Sequence, residues 1–140
     1  MRSGSKGAGM LKHTRWLLLL LTFQAAAQAA DLYVICNSGV TLAPADVRDV
    51  FMGEKQFAGP VKLLPADNGA IQSMFLSKVL KMEPGKYSVA WTKKSFREGV
   101  NPPPVKGSDA EAVEYVKRTP GACSYVATQP PPGVVTVATY

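Results

Sequence analysis

The N-terminal stretch decides how much of this chain is left to fold. Residues 1–15 carry Arg2, Lys6, Lys12 and Arg15 and no acid, and residues 16–27 are apolar or small apart from Thr22 and Gln24. Ala27 and Ala29 put small residues at the two positions that a signal peptidase reads. A basic start, a short apolar run and a small-residue cleavage site make a secretory signal peptide, with cleavage expected after Ala29. The run is about a dozen residues, short of the roughly 20 that a spanning helix needs. No cysteine follows the site to take a lipid, and no twin arginine precedes the run. The expectation is a periplasmic or secreted protein without a membrane anchor, divided into a signal peptide at 1–29 and a folded domain at 30–140.

About 111 residues then remain, enough for one compact domain with one core. Four of the sixteen Lys and Arg leave with the signal peptide and none of the ten acids, so twelve bases face ten acids, a net charge of +2. The high pI of the precursor belongs to its export signal, and a nucleic-acid partner is not expected. The single histidine, His13, leaves too. A domain without histidine has no His-based triad, no His general base and no His metal ligand. No spacing singles out a pair of acids or a nucleophile, so the expectation is a non-catalytic protein with no metal and no cofactor. Cys36 and Cys123 both remain. An even count in an exported chain points to a disulfide; two buried thiols are the alternative.

Residues 31–36, DLYVIC, read as a strand whose apolar character on both faces suits a covered sheet. Pro44 and Asp46 open a helix with Val47, Val50 and Phe51 as its buried stripe, and Gly53 ends it. The stretch 61–82, VKLLPADNGAIQSMFLSKVLKM, reads as strand, turn and helix. Val61 to Leu64 form the strand, Pro65 stops it, and Ala66, Asp67, Asn68 and Gly69 make a turn. Ile71, Met74, Phe75, Val79 and Met82 then recur at helical spacing. Such a unit gathers backbone N–H groups and the positive end of a helix dipole, which attract anions. Most units of this kind bind nothing and serve only the fold.

Pro84 starts a further helix with Tyr87, Ala90, Trp91 and Lys94 on one face, and Trp91 and Phe96 are expected in the packing. Lys93, Lys94 and Arg97 read as a solvated basic face. Residues 99–107, GVNPPPVKG, form a loop stiffened by three prolines. Ser108 and Glu111 make a capping box for a helix to about Arg118, with Ala112, Tyr115 and Val116 inward. Residues 122–127 and 134–138 read as strands. The order β-α-β-α-α-α-β-β points to an α/β layer with helices on both faces of a small mixed sheet.

Several segments resemble periplasmic phosphate-binding proteins in the same order. Residues 42–53, LAPADVRDVFMG, are similar to that family's leucine, polar turn and helix ending in Phe-x-Gly, and residues 60–67 resemble the strand that follows. Residues 68–75 stand where the family carries a Ser-Gly-Thr turn running into a helix with a phenylalanine. Trp91, Phe96, Gly99, Pro102 and Pro103 resemble the Trp…Phe-x-Gly…Pro-Pro pattern of its short single-domain relatives, and PGACSYV at 120–126 resembles the closing Pro-Gly-Ala-Ile-Gly-Tyr-Val segment. The resemblance covers nearly all of the domain. It implies one lobe of a type II periplasmic-binding-protein-like fold and a substrate-binding role beside an ABC transporter.

It also implies a site at Asn68, Gly69, Gln72 and Ser73, with phosphate or another small anion as the ligand. The family's arginine and hydroxyls are absent there: Ala70 and Ile71 stand near the hydroxyl positions, and Asp67 brings a negative charge. Two unit charges about 4 Å apart near a protein surface interact by a few kcal/mol, more than one neutral hydrogen bond returns. A single lobe also leaves its site open. The alternative is therefore an interaction module that keeps the fold, has lost the phosphate site, and binds a transporter or envelope protein. In the family fold the first strand and the Gly-Tyr-Val strand lie side by side and antiparallel. The resemblance thus implies a disulfide between Cys36 and Cys123.

Overall fold

A computed structural model of the chain describes residues 31–140. The expected signal peptide at 1–29 and its expected cleavage point lie outside the described residues. Among these described residues eight strands and four α-helices follow one another, with a π-helical segment after the second helix. Four strands make the main sheet: β1 (Tyr33–Asn37), β4 (Leu64–Pro65), β7 (Ala122–Val126) and β8 (Val134–Thr139), in the order β4-β7-β1-β8. The sheet is mixed, as expected: β1 is antiparallel to both β7 and β8, and β4 runs parallel to β7.

The two central strands are buried on both faces, which is why β1 reads as an apolar run. Alternation sends Val34, Cys36, Cys123 and Tyr125 to one side of the sheet, and Ile35, Ala122 and Val126 to the other. The second side is covered by α4 (Asp109–Arg118) through Ala112 and Val116. The first side carries the larger core, filled by α1 (Val47–Phe51), α2 (Gln72–Phe75), the π-helical turn Leu76–Leu80 and α3 (Pro84–Glu98). At its centre Phe75 stacks on Tyr125 with ring centroids 3.9 Å apart, and Phe51 meets Phe75 edge-on at 4.8 Å. The molecule is thus a mixed α/β layer with helices on both faces of its sheet.

Cys36 and Cys123 are directly opposed in the β1–β7 register and are joined by a disulfide, with Cα atoms 4.0 Å apart. Among the described residues no helix is long and apolar enough to cross a membrane.

Three local expectations are corrected. Pro65 does not stop a strand: it lies within β4, and the chain runs on through Ala66 into β5 (Asp67–Asn68), which pairs in parallel with β6 (Val105–Lys106). Pro65 is tolerated because its pairing with β7 is at the sheet edge, where a missing N–H removes no partner's bond. Val61–Lys62 instead forms β3 of a small ribbon with β2 (Phe57–Ala58). The helix after Gly69 is also not one regular cylinder. Four α-helical residues give way to the π turn, which ends at Lys81 in the left-handed region, φ 53°. Arg48 closes it by donating to the Leu80 carbonyl at 2.6 Å, a cation at a helix C-terminus. Leu76 and Leu80 take the buried places, while Val79 and Met82 pack at the periphery. Finally, Phe96 is 92% exposed. Nine residues beyond Tyr87 is about 900° of helix, half a turn out of phase with the buried Tyr87 and Trp91.

Candidate functional site

The main sheet delivers the chain from β4 to the expected site. The Ala66 N–H donates to the Cys123 carbonyl at 2.8 Å, and the Asp67 N–H to the Pro104 carbonyl at 2.8 Å. This crossing from one partner strand to another takes Asp67 and Asn68 inside, where they are 2% and 0% exposed.

Asp67 is enclosed by hydroxyls. Its carboxylate accepts from the Tyr87 hydroxyl at 2.9 and 3.1 Å and from the Tyr125 hydroxyl at 2.9 Å, with the Gln72 side chain as a further donor. None of its partners is a cation. Burial therefore dominates and raises the Asp67 carboxyl above its ordinary value, and the three hydrogen bonds oppose that rise without cancelling it. The same burial, with the carboxylate alongside, holds both phenols far above the normal tyrosine range, so they stay protonated and each donates its O–H to Asp67.

Asn68 is a structural tie. Its Nδ2 donates to Asp109 Oδ1 at 2.8 Å and to the Tyr125 carbonyl at 3.0 Å, while its Oδ1 accepts from the Ala70 N–H at 3.1 Å. Asp109 in turn accepts through Oδ2 from the Ala127 and Thr128 amides, each at 3.0 Å. One side-chain pair thus joins the turn after β5 to the start of α4 and the end of β7. That helix start is capped as expected by Ser108, whose Oγ accepts from the Glu111 N–H at 3.2 Å. Glu111 reaches back one residue further than a standard box and accepts from the Gly107 N–H at 2.7 Å.

The expected anion-site residues divide in two. Gly69 is exposed, yet its amide donates to the Lys106 carbonyl at 2.7 Å. The Ala70 and Ile71 amides are likewise engaged, with Asn68 Oδ1 and the Asn68 carbonyl. Gln72 is half-buried beside Asp67, and Ser73 is exposed. The donors left for an ion are therefore the exposed Ser73 hydroxyl, the second N–H of the Gln72 amide and the first-turn N–H groups of α2. The formal charge behind them is negative. Among the described residues no group of three or more His, Cys, Asp or Glu is placed to hold a metal ion.

Sequence reasoning put Tyr87 on one face of a helix and Tyr125 within a strand, and linked neither to Asp67. A signal was present: two tyrosines at core-facing positions, where phenylalanine would serve for packing alone, require a buried acceptor. No family model matches the chain, and no curated protein matches it.

Proposed function

We propose that this protein is an exported, non-catalytic solute-binding-protein-like domain with the architecture of one lobe of the type II periplasmic-binding-protein fold. Its ligand is phosphate or a similar small anion, and its setting is ABC transport. One observation carries this reading: β1 and β7 lie side by side and antiparallel, with Cys36 opposite Cys123, which is the pairing that the resemblance to phosphate-binding proteins implies. The parallel β4 and the turn into α2 on the next strand add to it. The ion sits at Gln72, Ser73 and the first amides of α2. With one lobe and a carboxylate behind, the site is open and weak.

A second reading has its own support. The Asn68 amide and the Gly69 and Ala70 N–H groups are bonded within the protein, and Asp67 brings negative charge. These favour a module that keeps the fold and binds a transporter or envelope protein without phosphate. Calorimetric titration with phosphate at low salt separates the two. A saturable heat with a dissociation constant of about micromolar, weakened by Gln72→Ala, supports the anion site. No heat at millimolar phosphate from folded protein rejects it in favour of the interaction module.

A further inference from the structure

A cleft of about 380 Å³ opens on another part of the molecule, between β3, β4 and the loop that precedes β6. None of the turn residues 68–73 lines it. Its size falls in the roughly 300–1,000 Å³ range of small-molecule sites. One wall is the Pro102-Pro103-Pro104 run, whose backbone has fixed φ angles and no N–H to satisfy. Pro103 is buried, and the Pro104 carbonyl accepts from Asp67, so this wall is anchored at its end. Trp91 and Tyr115 contribute aromatic surface. The indole N–H of Trp91 already donates to the Phe51 carbonyl at 3.1 Å, and the residue is 6% exposed, so it offers the cleft only an apolar edge.

The charge around the cleft has one sign. Lys55 and Lys62 line it, and no Asp or Glu does. The ion pairs of the described residues involve Lys78, Lys94 and Arg118, and neither Lys55 nor Lys62. A preformed apolar slot with aromatic surface and two uncompensated ammonium groups is complementary to one kind of small molecule. We propose that this cleft is a binding site for a small organic anion with a flat apolar body, an aromatic carboxylate or sulfonate. The ring lies along the proline wall and meets the edge of Trp91, and the acid group meets Lys55 and Lys62. This site is separate from the turn proposed for phosphate and stands without it.

Anilinonaphthalene sulfonate is a suitable probe, with phenylnaphthylamine as its uncharged counterpart. Trp91 is the only tryptophan among the described residues, so quenching of its emission reports occupancy. The expected result is saturable one-to-one binding of the sulfonate, about tenfold or more tighter than the neutral amine. The double variant Lys55→Gln, Lys62→Gln should lose that advantage while binding the neutral amine as before. Its thermal transition should not move, because neither ammonium group makes an ion pair. Saturating phosphate should not displace the sulfonate. Equal affinity for the two probes overturns the proposal, as does full sulfonate affinity in the double variant, displacement by phosphate, or no saturable binding.

Discussion

Asp67 takes a negative charge into the interior with only neutral donors around it. Its folded carboxyl lies above the unfolded value of about 3.8 because desolvation outweighs the bonds from Tyr87, Tyr125 and Gln72. The folded state therefore holds this proton at pH values where the unfolded chain has released it. The stability that this group contributes is fully present below its unfolded value, and it is lost as pH rises through the folded value. Asp67→Asn should abolish that component. Urea midpoints measured from pH 4 upward should shift in favour of the variant relative to the native protein as pH increases. Parallel profiles would show that the carboxylate is better solvated than its 2% exposure implies. The presence of an acid in this segment was legible in the sequence, and its burial was not. A short polar stretch after proline looks like a turn until its partners, 20 and 58 residues away, are known.

At the scale of elements, the close passage of β3 and β7 depends on one glycine. Gly121 leads into β7 at φ 84°, and a Cβ there would stand 2.0 Å from the Lys62 carbonyl oxygen. Its own carbonyl accepts from the Leu64 N–H at 2.9 Å, the first contact of the β4–β7 pair. Gly121→Ala brings backbone strain and a backbone clash together, and should cost at least about 2 kcal/mol in denaturant unfolding. Gly85→Ala is the matched control. It lies in the first turn of α3 with open space around it, and alanine there should be neutral or stabilising by up to about 1 kcal/mol. Equal effects at the two sites would contradict the packing of β3 against β7. Proline and glycine at 120–121 announced a turn, but not what the turn passes against.

For the whole molecule the disulfide is the main covalent constraint. It links residues 87 apart and so closes most of the folded chain. Chain-entropy reasoning puts its contribution at roughly 4–5 kcal/mol, against a total of about 5–15 kcal/mol for a typical domain. Reduction, or the pair Cys36→Ser and Cys123→Ser, should leave a protein near the margin of folding, seen as a large drop in urea midpoint. A change below about 1 kcal/mol would mean that the two packed faces of the sheet hold the fold without it. By itself the sequence determined the apolar first strand, the Pro84 and Ser108 helix starts, the inward stripe of α1 and the α/β order. Each of these rests on neighbours a few residues apart, where periodicity and capping chemistry act. The tertiary structure alone decided that 67–68 is a strand, that Asn68 ties to Asp109, that two core tyrosines turn their hydroxyls to Asp67, and that Phe96 faces out. Those outcomes depend on pairing and burial between residues distant in the chain, where no local pattern reaches.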